Sequence, residues 1–268
     1  MTLLDVLTVA LIRGLGEVLP IGASGPLAAL PGLAGSDDGR AALAIATHCG
    51  ILVALLLYFW RDVLAMVTGL WRLAKGKPDA GSWLMLHVVA GTVPTAILGA
   101  FLALPAAAAI GPVMAAILIL VGGVVLLLCD WLGVTVRRVE HLSLPVAAGL
   151  GLVQALALFP GVSRTGITIA AARLLGWERR EAARFSLLLA IPLILGHAAV
   201  SLWTLTRHTQ PILSADLQIA AAAAGLIAFA AIAAMMAWVD RHTYAPLAVA
   251  RIIVGLGALG LLLWSSLI

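Results

Sequence analysis

The chain has 268 residues, of which 63% are hydrophobic and 10% charged, and its mean hydropathy is +1.14. A globule of this size must turn much of its surface to water, so the composition excludes a soluble enzyme or binding module and requires a helical protein with several membrane spans. The net charge of +4 and pI of 9.7 do not point to nucleic acid, because the basic residues sit in short loops between apolar runs, where they act as topology signals.

The first apolar stretch, Leu3–Leu30, is broken by Gly14, Gly16, Pro20, Gly22, Gly25 and Pro26. It carries Asp5 and lacks the basic start and cleavage site of a signal peptide. Spanning segments are expected next at Ala41–Trp60, Leu84–Leu104 and Pro112–Trp131. A second broken stretch, Leu144–Leu175, is interrupted by Pro160, Gly161 and Gly166. Arg184–Trp203, Leu217–Val239 and Pro246–Leu267 complete a set of runs near the length that crosses about 30 Å of hydrocarbon. Strand-period alternation is absent, which argues against a membrane barrel. Cys49 and Cys129 lie in apolar runs and read as small buried hydrophobes.

Each broken stretch reads as a short helix, an irregular turn and a second short helix. Such backbone is tolerated at membrane depth only where protein buries it or water reaches it. "GEVLPIGASG" (Gly16–Gly25) resembles "LALFPGVSRTG" (Leu156–Gly166). A pair of broken segments in corresponding places points to an inverted repeat with a midplane site. The expected architecture is therefore an all-α polytopic membrane protein with six spanning helices and two re-entrant segments. It forms a single membrane domain with repeat halves near 1–131 and 132–268. With both broken stretches re-entering, Arg61–Ser82, Asp130–Ser143, Arg173–Arg184 and Val239–Ala245 share one face, with 4, 2, 4 and 1 basic residues. The other face has Arg40 and Arg207. The asymmetry makes the first face cytoplasmic.

Ionisable residues inside apolar segments are functional candidates by default. Arg164 sits in "PGVSRTGIT" (Pro160–Thr168) between Ser163 and Thr165. Gly161 and Gly166 allow a tight turn whose amides gather at a new helix start. A guanidinium beside it suits phosphate. Thr168 adds a hydroxyl. The set reads as a phosphate site, the bland alternative being an arginine that caps freed carbonyls. Arg13 and Glu17 share a helix face at i, i+4, either as a mutual ion pair or with Arg13 reaching an anion. Arg251 is a possible third phosphate donor or partner of Glu17, unless it snorkels from a helix end. His48, just before Gly50, is a possible pocket wall. His87 and His197 read as polar contacts between helices. No cluster has metal-ligand spacing.

These residues resemble the undecaprenyl-pyrophosphate phosphatase family, the bacitracin-resistance type of bacterial membrane protein. "ALALFPGVSRTGITIAAARLLGWERREAARFSLLLAIPLILG" (Ala155–Gly196) is similar to its second signature, and "ATHCGILVALLLYFWRDV" (Ala46–Val63), "GTVPTAILGAF" (Gly91–Phe101) and "PLAVARIIVG" (Pro246–Gly255) match at family-like spacing. The resemblance implies a multi-pass inner-membrane protein whose ligand is a polyprenyl phosphate or pyrophosphate. It also implies removal of one phosphate, generally with a divalent cation, Mg or Ca. Arg164 matches the family's phosphate-binding arginine. The first signature of the family reads E-G-x-x-E-x-x-P-x-S-S-x-G-H. Here Gly14, Glu17, Pro20 and Gly25 match, while Arg13 replaces the first glutamate, Gly22 and Ala23 the serines, and Pro26 the histidine. His48 stands where glutamine is typical.

In the family the glutamate pair is thought to bind metal or transfer protons, with a serine or histidine as nucleophile or proton carrier. Ala23 and Pro26 can do neither, and Arg13 repels a cation. Ser24 is a substitute nucleophile, with Glu17 or His48 as its base. The expectation is a binder of polyprenyl phosphate that has weak or lost hydrolysis, needs no cofactor and moves the lipid across the membrane. The alternative is an active undecaprenyl-diphosphatase. A third reading is a transporter of another small anion, or a structural membrane partner.

Overall fold

The computed structural model describes residues 2–22, 27, 37–136, 142–205 and 214–265. Among them are ten α-helices and no strand. In chain order these are α1 (Leu3–Val18), α2 (Asp37–Tyr58), α3 (Trp60–Ala74), α4 (Ala80–Ala109), α5 (Pro112–Leu132), α6 (Leu144–Gln154), α7 (Arg164–Leu174), α8 (Arg179–Leu205), α9 (Ala215–Val239) and α10 (Ala245–Ser265). Six of them, α2, α4, α5, α8, α9 and α10, are long and apolar enough to cross a membrane. They coincide with the six runs expected from sequence, and the chain is a polytopic helical membrane protein.

The two breaks have local causes. α1 starts in a capping box, where the Thr2 hydroxyl accepts from the Asp5 amide and the Asp5 carboxylate accepts from the Thr2 amide. It stops where Leu19 turns extended ahead of Pro20, because a residue before proline is pushed out of the helical region. In the second stretch α6 passes through a tight turn at Ala155–Leu158, then Phe159–Val162, and restarts as α7 with Ser163 as its N-cap. This is the short helix, turn and short helix expected. The second arm of the first stretch, with Ala23, Ser24, Gly25 and Pro26, lies outside the described residues.

Small residues let the helices approach closely. A Cβ on Gly50 of α2 would stand 1.9 Å from the Ala221 carbonyl oxygen of α9, and Gly225 meets Gly50 in return. The small-residue face of α9 is thus used inside the chain, where Ala224, Ala228 and Ala231 are buried. α1 packs on α9 and α6 on α4, α2 meets α8, and α5 meets α10.

Two expectations are corrected. Arg61–Ser82 is not a plain loop: it contains α3, which packs on α4 through Gly69, whose carbonyl accepts from the Ser82 hydroxyl at 2.7 Å. Cys49 is exposed, and only Cys129 is buried.

Arg173 and Arg179, counted as topology charges, do structural work as well. Arg173 is fully buried, and its Nε and that of Arg179 each lie 2.8 Å from Asp130 Oδ1. Asp130 Oδ2 accepts from the Tyr244 amide at 2.9 Å. One carboxylate at the end of α5 thereby joins α7, α8 and the start of α10.

Candidate active site

The site is built from the two turns. Gly22 at φ +90° and Gly161 at φ +93° occupy the left-handed region, which favours glycine. Arg251 of α10 is 1% exposed. It donates through Nε to the Ile119 carbonyl at 3.0 Å, through Nη1 to that of Pro20 at 3.4 Å, and through Nη2 to that of Gly161 at 3.2 Å. Arg251 is therefore placed neither as a phosphate donor nor as a partner of Glu17. It satisfies carbonyls that the breaks release, which membrane-depth backbone requires.

Between the two turns, α2, α4 and α8 lies a cavity of about 640 Å³. Its polar lining includes Glu17, His48, Gln154, Ser163, Arg164 and His197. Its apolar lining includes Ala96, Ala100, Leu158, Val162 and Val200. His48 Nε2 faces Glu17 Oε1 at 3.7 Å. The expected Arg13–Glu17 ion pair is not formed among the described residues. Arg13 instead acts on Glu17 and His197 through space, and its Nε is buried without a hydrogen-bond partner.

Arg164 points into the cavity while Nη1 donates to the Ser186 carbonyl at 3.4 Å and Nη2 to the Glu17 carbonyl at 3.2 Å. These bonds leave other guanidinium donors for a ligand. The Ser163 oxygen caps α7 by accepting from the Gly166 amide at 3.2 Å, so its own hydroxyl hydrogen is still available. Thr165, Thr168, Gly161 and Gly166 do not line this cavity. Thr165 donates to the Glu17 carbonyl at 2.8 Å, and Thr168 bonds back to the Arg164 carbonyl at 2.8 Å, a local bond common for hydroxyl residues in helices. They support the site from behind. Ser24 lies outside the described residues.

Two lining residues, Thr95 and Gln154, were missed, and the cavity role of a third, His197, was not read. Thr95 donates to the Gly151 carbonyl at 2.7 Å and accepts from Gln154 Nε2 at 3.1 Å. Gln154 Oε1 is buried without a partner. An amide inside an apolar run was the available signal. His197 makes the expected contact between helices, its ring meeting that of His48 edge to face at 5.2 Å, and it also lines the cavity. His87 lies at a separate cavity of about 750 Å³ beside Asp62 and Arg184.

The cation implied by the resemblance can be tested against these donors. Magnesium and calcium want several oxygen ligands and net negative charge. The cavity offers one carboxylate and two imidazoles, with the guanidiniums of Arg13 and Arg164 beside them. Among the described residues no group of His, Cys, Asp and Glu is placed to hold a metal. Among the described residues, the oxygen ligands are too few to hold Mg or Ca without oxygens from a phosphate ligand.

The family model described as bacitracin resistance protein BacA matches residues 6–257. The chain belongs to the BacA family. It is 61% identical over 261 residues to undecaprenyl-diphosphatase 1 of Paramagnetospirillum magneticum, covering 97% of this chain and 98% of the relative. It is 45% identical to undecaprenyl-diphosphatase 1 of Rhodospirillum rubrum, with 97% and 95% covered. It is 39% identical to undecaprenyl-diphosphatase of Roseobacter denitrificans, with 96% and 97% covered. The BacA match spans the breaks in both stretches and every lining residue named above.

Proposed function

We propose that this BacA-family chain is an undecaprenyl-diphosphatase of the bacterial inner membrane, releasing inorganic phosphate from the polyprenyl pyrophosphate carrier used in envelope synthesis. The observation that carries the reading is the convergence of Glu17, Ser163 and Arg164 on one cavity whose lining is divided between polar residues and apolar ones such as Ala96, Leu158 and Val162. That division suits an amphiphile with a phosphorylated head and an isoprenoid tail. Phosphoryl transfer asks a protein mainly for positioning and charge stabilisation. Arg164 and the Ser163 hydroxyl supply donors to phosphate oxygens, and Arg13 adds positive charge nearby. Glu17 is a carboxylate and would be repelled by phosphate, so it acts on the attacking water or through a neighbouring proton carrier.

A carrier that binds the lipid without cleaving it is favoured by Arg13 at the first glutamate position. The relatives, up to 61% identical and named for the hydrolytic activity, support hydrolysis over that reading. The test is phosphate release from undecaprenyl pyrophosphate by the purified full chain, beside Arg164→Ala and Glu17→Gln. Release that falls by about 100-fold or more in both variants is expected, the scale of lost charge stabilisation or acid–base help. Lipid binding without release by the wild type would overturn the proposal in favour of the carrier.

A further inference from the structure

Hydrolysis requires that the attacking water lose a proton as its oxygen bonds to phosphorus. Of the side chains lining the cavity, Arg164 stays charged, Ser163 and the threonines do not titrate near neutrality, and Gln154 does not titrate at all. That leaves Glu17, whose charge opposes phosphate, and the imidazoles of His48 and His197. His48 Nδ1 is buried without a hydrogen-bond partner. A buried polar atom left unpaired points to a ligand or a chemical role. The other ring nitrogen faces the Glu17 carboxylate at 3.7 Å, a distance that tightens readily when a ligand closes the site. A carboxylate on Nε2–H fixes the tautomer whose Nδ1 carries the lone pair. His197 meets the His48 ring at 5.2 Å and 80° and is itself exposed, so it connects the buried ring to the outside of the helix bundle.

We propose that His48 is the general base of this site, with Glu17 as its positioning residue and His197 as the exit for the proton. The proposal rests on the phosphatase reading. As the water oxygen bonds to the terminal phosphorus, the bridging P–O bond breaks and its electron pair leaves with polyprenyl phosphate. One water proton passes to His48 Nδ1 and the other stays on inorganic phosphate. The proton then passes to His197, which shares the cavity lining, and from there to water in the cavity. Facing the His48 ring are Glu17 from α1 and His197 from α8, with Arg13 of α1 and Arg164 of α7 acting on Glu17 in turn.

The experiment is kcat and KM for undecaprenyl pyrophosphate from pH 5 to 9 with the full chain, for wild type, His48→Gln, His197→Gln and Glu17→Gln. Wild type is expected to lose kcat on the acid side, where the base takes up a proton. His48→Gln should lower kcat by about 100-fold or more, the usual scale for a lost general base, with KM unchanged and the acid limb gone. His197→Gln should give a smaller loss and a displaced limb. Binding of polyprenyl phosphate, the product, serves as the folding control and should be equal in wild type and His48→Gln. Should His48→Gln fail that control, histidine-selective ¹⁵N spectra of the wild type decide: an Nδ1 that is unprotonated and responds to polyprenyl phosphate upholds the proposal, and a protonated or indifferent Nδ1 overturns it. Active wild type with an unimpaired His48→Gln sinks the histidine pair and leaves the phosphatase standing. A wild type that binds the lipid without turnover sinks both.

Discussion

Pro20 and Gly161 are fastened to each other through one side chain: Arg251 donates to both carbonyls, at 3.4 Å and 3.2 Å. The two breaks in the chain are therefore held as one unit. Arg251→Ala orphans carbonyls that cost about 1–3 kcal/mol each when left unpaired, so the expected outcome is a clearly lower Tm in detergent. Arg251→Lys keeps the charge without the fork of donors. It should express and bind the lipid while raising KM and lowering kcat, because the turns lose their common fastener. A Lys variant with wild-type kinetics would mean that the turns hold themselves.

Asp130 gives a second stability prediction. Asp130→Ala leaves the buried Arg173 without its carboxylate, which costs about 3–5 kcal/mol for a buried pair broken on one side. Thermal unfolding should show this loss, with Asp130→Leu/Arg173→Leu recovering part of it. Equal destabilisation in the single and double variants would show that the arginine's bonds to the Gly133 and Trp177 carbonyls dominate.

Arg13 leads to a prediction about cations. Phosphate release by the wild type is expected to persist in excess chelator, because the donor set is poor for Mg or Ca. Arg13→Glu places a second carboxylate four residues from Glu17 on the same face, and its release should rise with added magnesium. Wild-type release abolished by chelator and restored by magnesium would refute this account of Arg13.

The start of α4 is sensitive to acid. Hydrogen bonds from the Ser82 amide and hydroxyl, with Arg72 nearby, hold the Asp79 carboxyl below its ordinary range. A depressed carboxyl contributes stability that is complete above its unfolded value and lost as pH falls through its folded one. Amide exchange in the first turn of α4 should therefore accelerate on acidification in the wild type. In Asp79→Ala exchange should already be fast at neutral pH and should lack this acid-dependent step.

What the sequence made legible follows from which signals are local. Apolar run length marked all six spans, and Pro20 and Pro160 marked both breaks. α3 was missed because Arg61, Asp62 and Arg72 interrupt its apolar residues, so no continuous run stands out. Arg164, Ser163 and Glu17 were legible as polar groups at membrane depth, and all three reach the cavity. Thr165 and Thr168 looked equally suitable, yet their hydroxyls are consumed by backbone carbonyls, which only the helix geometry reveals. Arg251 shows the same limit, since a guanidinium reads alike whether it meets a phosphate or a carbonyl. His197 needed the crossing of α2 and α8 to acquire its partner.

The cavity wall has one further consequence. Ala100 and Gly196 are exposed and Val200 is 66% exposed, on spanning helices α4 and α8 that also line the cavity. The pocket thus opens sideways between two spanning helices. On the proposed function, an isoprenoid substrate enters by lateral diffusion with its tail staying in the leaflet. Encounter then becomes a two-dimensional search, and the quantity that sets the rate is the mole fraction of substrate in the membrane. Enlarging the bilayer at fixed amounts of enzyme and lipid substrate would slow turnover by surface dilution alone.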